Sequence, residues 1–138
     1  MRDILTAGLT ALDLDPAAAD KLERYAELLL EKNKVMNLTA ITVPHDVATL
    51  HLLDCAALAA QLDLSGKRVI DVGTGAGFPG MVLAILTPDA RFTLLDSLGK
   101  RVDFLKEVQT DLALKNVTCV HAVSYTHLRA HETLRHLV

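Results

Sequence analysis

The strongest constraint in this sequence is an apolar run that ends in an acid and then breaks into four glycines within eight residues. Residues 69–80 read VIDVGTGAGFPG, with glycines at positions 73, 75, 77 and 80. Glycine allows positive φ and lets a ligand approach the main chain, whereas a plain strand-to-helix turn needs one glycine at most. The pattern predicts a buried strand, a ligand-binding loop and the start of a helix.

The composition indicates one domain without a membrane span. The chain has 138 residues and a mean hydropathy of +0.30, yet no apolar run approaches the roughly 20 residues that a transmembrane helix needs. Asp3 and the lack of a cleavage site argue against a secretory signal, so we expect a cytoplasmic protein. Separately, we expect the protein to act as a monomer. The net charge of -3 argues against a generally basic nucleic-acid clamp and leaves a local basic patch open. Cys55 and Cys119 have no partners at metal spacing, so we predict buried thiols.

The last sixteen residues, 123–138, differ from the rest of the chain. They hold three of the six histidines and no aspartate, and they show neither strand alternation nor a helical stripe. Their first eleven, VSYTHLRAHET, resemble one translated frame of the adapter ligated in transposon-based sequencing libraries. We therefore expect residues 123–138 to be a non-native read-through tail on a truncated gene, and we exclude them from fold reasoning.

The same segment contains an apparent zinc motif. His131 and Glu132 followed by His136 are similar to the His-Glu-x-x-His pattern of zinc proteases, with His127 four residues before His131. However, the step from His131 to His136 is five residues, about 500° around a helix, so the two rings diverge. The sequence predicts no metal site.

Residues 1–64 predict a helical cap. Helices are expected at 3–12 and 17–32, the second after an Asp15 N-cap and Pro16. A turn follows at 33–39, and a further helical region spans 44–61. His51 and Asp54 lie there among apolar residues, and we interpret them as a partly buried polar pair that fixes how the cap meets the sheet, with direct substrate contact as the alternative.

Residues 65–122 follow an α/β rhythm. Strands are predicted at 67–72, 91–96 and 117–122, and helices at 79–86 and 100–112. Strand, helix, strand, helix, strand is the first half of a doubly wound parallel sheet. The fold class is therefore α/β: a helical cap followed by an incomplete Rossmann-like sheet of about three strands.

Residues 73–80, which we call the glycine loop, follow the first predicted strand, and two cofactors suit a loop of this kind in that place. A dinucleotide needs free backbone amides for its diphosphate, but Pro79 removes one and Phe78 adds bulk. S-adenosylmethionine has no diphosphate and needs room at the main chain together with an acid after the second strand, which Asp71 to Gly77 and Asp96 provide. These residues favour S-adenosylmethionine over NAD(P). Asp71 acting only on the loop amides, and Asp96 capping the next helix, remain open alternatives.

Two segments resemble a known family. DVGTGAGFPG at 71–80 and LLDSLGKRVDFL at 94–105 closely resemble the bacterial 16S rRNA guanine-N7 methyltransferases, the glucose-inhibited division protein B family. The segments NKVMNLT at 33–39 and HLLDC at 51–55 look like its amino-terminal signatures, with Cys55 where serine is commoner. The resemblance covers residues 1–122.

The resemblance implies an S-adenosylmethionine-dependent methyl transfer to 16S rRNA of the small ribosomal subunit. Within its loop, Gly73 and Phe78 are expected to contact the cofactor, and Asp96 with Ser97 to lie along the adenosine. The full set of expected cofactor-binding residues is Asp71, Gly73, Thr74, Gly75, Gly77, Phe78, Asp96 and Ser97.

Guanine N7 carries an in-plane lone pair and no proton, so methyl transfer needs no general base. We therefore assign no catalytic residue. Lys100 and Arg101 are candidates for contacts with RNA phosphate, the alternative being a solvated first helical turn. A second hypothesis for the chain is a non-catalytic nucleotide-binding remnant without transferase activity.

Overall fold

The described part of the chain is a set of helices packed on one parallel sheet. The computed structural model describes residues 1–39 and 43–122 in full, and the backbone alone of Arg135–Leu137. Within these ranges no helix is both long and apolar enough to cross a membrane.

The helical cap is close to the prediction, with one difference. In chain order its elements are α1 (Arg2–Ala11), a 3₁₀ turn (Pro16–Ala18), α2 (Ala19–Asn33), α3 (Pro44–Asp46), a π-helix (Val47–Leu53) and α4 (Asp54–Gln61). Asp15 caps the 3₁₀ turn, where its Oδ1 accepts a hydrogen bond from the Ala17 amide at 2.9 Å. The second helical region is continuous as predicted, but its centre is π-helical, which apolar spacing does not reveal.

The α/β part confirms the predicted order of elements. These are β1 (Arg68–Val72), α5 (Gly80–Leu86), β2 (Arg91–Asp96), α6 (Gly99–Asp111) and β3 (Val117–His121). All strands are parallel, in the order β3-β2-β1-β4, where β4 is Arg135–Leu137. The fold is therefore an incomplete Rossmann-like sheet behind a helical cap.

Strand register brings the predicted site residues to one edge of the sheet. Asp71 lies opposite Leu94, and Val72 lies opposite Leu95. Asp96 at the end of β2 lies opposite His121 at the end of β3. Because the carboxyl ends of parallel strands share one edge, the glycine loop after β1 meets Asp96 there.

The cap and the sheet share one hydrophobic core. On α2 the residues Leu22, Tyr25, Ala26 and Leu29 follow the i, i+3, i+4, i+7 spacing of one helix face and form an apolar stripe that is fully buried. It packs in the same cluster as Val69 of β1 and Phe92 and Leu94 of β2. Burial of this continuous apolar surface fixes the cap against the sheet, so cap residues can reach the glycine loop.

The carboxyl-terminal segment adds one short strand. The backbone of β4 pairs with β1 from Val69↔Arg135 to Asp71↔Leu137. His127 and His131, and the side chain of His136, lie outside the described residues. Among the residues that are described, no group of three or more His, Cys, Asp or Glu side chains is placed to hold a metal, and Cys55 and Cys119 are free thiols.

Candidate functional site

The glycine loop is anchored to the neighbouring strand by main-chain hydrogen bonds. The amides of Gly73 and Thr74 both donate to the Leu95 carbonyl, at 2.9 and 3.0 Å. Further along, the amides of Gly77 and Phe78 donate to the Thr74 carbonyl, at 3.0 and 3.3 Å. The loop therefore turns back on itself directly above the end of β2.

Asp71 is a buried brace inside the loop. Its Oδ2 accepts hydrogen bonds from the Thr74 hydroxyl at 2.7 Å and from the Gly80 amide at 2.9 Å. Asp71 and Thr74 are each 3% exposed. The carboxylate thus joins the start of the loop to the start of α5. This geometry supports the alternative that Asp71 acts on loop groups, and a direct cofactor contact of Asp71 or Thr74 stays a prediction.

Asp96 connects the loop to the turn before α6. Its Oδ2 accepts from the Gly75 amide at 2.8 Å, and its Oδ1 accepts from the Leu98 amide at 2.9 Å. Arg101 approaches the same carboxylate, with an Nη1–Oδ1 separation of 3.6 Å. An acidic side chain therefore lies beside the main chain of Gly75, where the sequence predicts a ribose partner.

The four glycines fall into two classes. Gly73 and Gly75 have φ of +71° and +61°, and a Cβ added to either would meet no atom within 4 Å. A Cβ on Gly77 would lie 2.6 Å from the Tyr25 hydroxyl oxygen, and one on Gly80 would lie 2.4 Å from Leu94 Cδ2. Gly77 and Gly80 are therefore required for packing, whereas Gly73 and Gly75 face open space that a ligand can enter.

Phe78 is held between two aromatic side chains of the cap. Its ring stacks on His51 with centroids 4.5 Å apart and planes 9° apart. On another side it meets Tyr25 at 5.7 Å with a tilt of 42°. The Tyr25 hydroxyl also donates a hydrogen bond to the Ala76 carbonyl. The cap thus contacts two parts of the loop: the main-chain carbonyl of Ala76 and the aromatic ring of Phe78.

The interpretation of His51 and Asp54 as a partly buried polar pair agrees with the partial burial of His51 but is wrong for Asp54. Asp54 is exposed, and His51 Nε2 instead lies 3.0 Å from the Thr39 hydroxyl oxygen. Asn33 Oδ1 accepts from the amides of Leu38 and Thr39 at 2.7 and 3.0 Å, which fixes the turn that presents Thr39. His51 alone, without Asp54, contacts the α/β part, and it does so by stacking on Phe78.

Burial shifts the protonation of three groups around the loop. Desolvation raises the pKa of the Tyr25 hydroxyl well above its ordinary value and raises the pKa of the Cys55 thiol to about 11. Desolvation lowers the pKa of His51 below 6.5, partly offset by the negative charge of Asp54. Near neutral pH these groups are a neutral phenol, a neutral thiol and a neutral imidazole.

The remaining predicted residues lie at the rim. Ser97 and Lys100 are exposed, and Arg101 is partly exposed. The Ser97 carbonyl lies 2.8 Å from His121 Nε2, which ties the ends of β2 and β3 together. Thus all ten predicted residues converge on the carboxyl edge of the sheet, but only some of them face open space.

The engagement of the loop amides decides which ligand chemistry fits. The amides that already have acceptors within the protein are those of Gly73, Thr74, Gly75, Gly77, Phe78, Gly80 and Met81. Pro79 has no amide hydrogen. Little donor capacity is left for a diphosphate, while the open main chain at Gly73 and Gly75 beside Asp96 suits an amino-acid and ribose ligand. These residues fit S-adenosylmethionine and fit a dinucleotide poorly.

Sequence reasoning missed two residues that support the loop: Tyr25, which contacts it directly, and Thr39, which contacts His51. Tyr25 belongs to the apolar stripe of α2, so its spacing indicated only a core position. Thr39 was part of a predicted turn with no assigned partner. The sequence signal in this region was the pair of segments 33–39 and 51–55, which resemble family signatures, and the link between Thr39 and His51 that joins them depends on tertiary packing.

The chain is similar to proteins of one family. The family model described as "rRNA small subunit methyltransferase G" matches residues 18–133. The proteins named ribosomal RNA small subunit methyltransferase G from Salmonella agona and Salmonella newport are each 50% identical over 101 residues, covering 73% of this chain and 48% of the relative. The chain therefore spans about half the length of the curated relatives it matches.

Among solved structures, the chain resembles a precorrin-6y C5,15-methyltransferase from Geobacter metallireducens. The TM-score is 0.43 with 25% sequence identity, over 49% of this chain and 37% of that one.

Proposed function

The chain belongs to the rRNA small subunit methyltransferase G family, and on that premise we propose that the whole protein transfers a methyl group from S-adenosylmethionine to guanine N7 in 16S rRNA. For the stretch described here, we propose cofactor binding at the glycine loop. The observation that carries this proposal is the open main chain of Gly73 and Gly75 beside the buried Asp96 carboxylate.

Each part of the loop has a proposed task. Gly73 and Gly75 admit the amino-acid end of the cofactor against the backbone, and the Asp96 carboxylate accepts hydrogen bonds from ribose hydroxyls, with Ser97 alongside. Phe78 provides an apolar wall. Gly77 and Asp71 keep the loop in this shape through packing and hydrogen bonds. When bound, S-adenosylmethionine supplies an electrophilic methyl group on a sulfonium.

The reaction asks the protein for orientation more than for acid or base. Guanine N7 is already an acceptor with its lone pair in the ring plane. Holding that nitrogen in line with the methyl carbon, and excluding water, therefore supplies most of the rate. Consistent with this, the described groups near the loop are neutral or braced: the Tyr25 phenol and the Cys55 thiol have raised pKa values, and Asp71 is engaged by Thr74 and Gly80.

We propose that Lys100 and Arg101 face RNA phosphate. Lys100 is exposed in the first turn of α6, and Arg101 lies near Asp96 at the rim of the loop. In the whole protein, Lys100→Gln should weaken binding of a 16S rRNA fragment and lower the slope of log affinity against log salt by about one. Lys34→Gln, at an exposed cap lysine paired with Glu31, is the matched control.

The reaction is proposed to take place in the cytoplasm, where the small ribosomal subunit is assembled, with the protein acting as a monomer. Sedimentation of the whole protein, alone and with purified subunits, tests both the oligomeric state and the partner. A stable dimer in the absence of RNA would contradict the monomer proposal.

The decisive experiment maps m7G in 16S rRNA from a strain that lacks the gene, with and without the restored whole gene. We expect one guanine to lose its methyl group and regain it on complementation. Calorimetry on the present chain tests cofactor binding independently of methyl transfer. We expect S-adenosylhomocysteine to bind and NAD not to bind. Unchanged m7G would refute the methylation proposal, and NAD binding without S-adenosylhomocysteine binding would favour a nucleotide-binding or oxidoreductase fragment.

A further inference from the structure

One aromatic contact joins the helical cap to the glycine loop over 27 positions of sequence. The imidazole of His51 lies almost parallel to the Phe78 ring, with centroids 4.5 Å apart and planes 9° apart. His51 is in the π-helical segment Val47–Leu53, while Phe78 directly precedes the Pro79–Gly80 entry into α5. The contact therefore acts where the loop ends and the helix begins.

The orientation of the His51 ring is set from its far side. His51 Nε2 lies 3.0 Å from the Thr39 hydroxyl oxygen, so the ring is held through its polar edge. Thr39 is in turn fixed because its amide donates to Asn33 Oδ1 at 3.0 Å. Two hydrogen bonds, between Asn33 and Thr39 and between Thr39 and His51, and one ring stack on Phe78 thus connect the end of α2 with the loop.

The Phe78 ring has no such anchor of its own. Phe78 is only partly buried, and its side chain carries no polar atom that could fix its rotamer. Tyr25 touches it at a tilt of 42°, and His51 covers a face. Parallel stacking restricts rotation of both rings and adds to simple area burial. His51 is therefore one of the two rings that set the direction of the Phe78 ring, and the one that stacks on its face.

We propose that His51 is a positioning residue of the cofactor loop: by stacking on Phe78 while bonded to Thr39, it holds residues 73–78 in the shape that admits the cofactor. This inference rests on the proposed function, because it assigns to the cap a share of the affinity for S-adenosylmethionine. It also predicts a property of the ligand-free chain, since the loop is held before any ligand binds.

The test compares three single variants of the present chain. His51→Ala removes ring and hydrogen bond, His51→Phe restores an aromatic ring without the hydrogen bond, and Arg24→Gln is the control. Arg24 also joins the cap to the α/β part, through two 2.9 Å hydrogen bonds from its guanidinium to Asp111, but this pair lies on the outside of α2 and α6. The readouts are hydrogen exchange of the loop amides without ligand and the Kd of S-adenosylhomocysteine by calorimetry.

His51→Ala should speed exchange of the amides of residues 73–78 and weaken S-adenosylhomocysteine binding about two- to tenfold, the range expected for one aromatic pair. His51→Phe should recover most of both properties, and Arg24→Gln should change neither. Unchanged exchange and affinity in His51→Ala would overturn the proposal. If the unaltered chain fails to bind S-adenosylhomocysteine, the proposed cofactor binding of this stretch fails, while loop exchange still decides whether His51 positions the loop.

Discussion

The Asp96 carboxylate accepts a hydrogen bond from the Gly75 amide at 2.8 Å, which joins the end of β2 to the centre of the loop after β1. The other carboxylate oxygen accepts from the Leu98 amide, so one buried side chain fixes two turns at once. Each carboxylate oxygen has two lone pairs, and the same group can accept further hydrogen bonds from a ligand. Asp96 is thus a structural link whose carboxylate keeps the capacity to accept further hydrogen bonds.

Asp96→Asn should lower both affinity and stability. An amide offers one acceptor oxygen in place of two, so either Gly75 or Leu98 loses its partner, at a cost of about 1–3 kcal/mol in the free energy of unfolding. We expect S-adenosylhomocysteine binding to fall at least tenfold, which corresponds to about 1.4 kcal/mol. Calorimetry and urea unfolding measure the two effects. Asp103→Asn, at an exposed acid of α6, is the control. Equal affinity for S-adenosylhomocysteine in both variants would exclude Asp96 as a cofactor-binding residue.

The two classes of glycine can be separated by alanine substitution. Gly77→Ala should unfold easily, because its Cβ would meet the Tyr25 oxygen at 2.6 Å and Met81 Cβ at 2.9 Å at a φ of +106°. Strain and overpacking together give about 3 kcal/mol. Gly75→Ala meets no atom and pays only the left-handed backbone cost of about 1–2 kcal/mol, but its methyl group enters the open space in front of the loop.

We therefore expect Gly75→Ala to fold and to lose most of its affinity for S-adenosylhomocysteine, with Gly77→Ala showing the lower midpoint in urea. Gly66 has a φ of +72° and equally open surroundings away from the loop, so Gly66→Ala controls for backbone strain alone. Retention of full affinity by Gly75→Ala would show that the ligand does not approach this part of the main chain.

The secondary structure was largely predictable because the local patterns of apolar and turn-forming residues agree with the positions that the folded chain buries or exposes. β1 and β2 are apolar runs between polar turns, and the predicted bounds of the strands and of α5 and α6 differ from the observed ones by one residue at most. Parallel strands with short links then place Asp71 and Asp96 at one edge, whatever the details of packing. Residue type and strand order were sufficient for this level of description.

The finer organisation of the site was not predictable, because it depends on contacts between distant segments. Four glycines look alike in sequence, and only the approach of Tyr25 and Leu94 separates Gly77 and Gly80 from Gly73 and Gly75. The π-helical turn at Val47–Leu53 likewise has no periodic signature. It changes which side chains of the segment share a face, which is one reason why the expected pairing of nearby polar residues was wrong.

Asp71 offers a test between bracing and direct binding. Asp71→Ala should cost about 2–3 kcal/mol of unfolding free energy, because the Gly80 amide and the Thr74 hydroxyl lose a charged acceptor in a buried place. Asp71→Asn keeps one oxygen that can accept from both groups and should cost much less. If Asp71 only braces the loop, S-adenosylhomocysteine affinity in Asp71→Asn stays within about twofold of the unaltered chain. Loss of S-adenosylhomocysteine binding with an intact fold would instead show that Asp71 contacts the cofactor directly.

The stability of the chain should depend on His51 in mildly acidic solution. Because burial lowers the pKa of His51 below its ordinary 6.5, the unfolded chain takes up this proton at a higher pH than the folded chain does. The unfolded state therefore binds more protons in that window, and the free energy of unfolding decreases as the pH falls below about 6.5. Above 6.5 the contribution is constant.

Urea midpoints at about pH 7.5 and 5.5 measure this effect, a range chosen to avoid most carboxylate titration. Between about pH 7.5 and 5.5 the free energy of unfolding should decrease more in the unaltered chain than in the His51→Phe variant. Asp54→Asn should enlarge the loss, because the Asp54 charge is what partly raises the pKa of His51. The same pH dependence in the unaltered chain and in His51→Phe would show that His51 is not the group responsible for the loss of stability.

The two cysteines should be slow to react in the folded chain. Burial raises the pKa of both Cys55 and Cys119 to about 11, so at pH 8 roughly one thiol in a thousand is ionised. The Cys119 thiol also donates to Gln109 Oε1 at 3.8 Å, while Cys55 is the less buried of the two. We expect iodoacetamide to label both far more slowly than in denaturant, with Cys55 reacting before Cys119, as mass spectrometry of the digested chain can follow. Rapid labelling of Cys119 under native conditions would show that the packing of β3 against α6 opens readily.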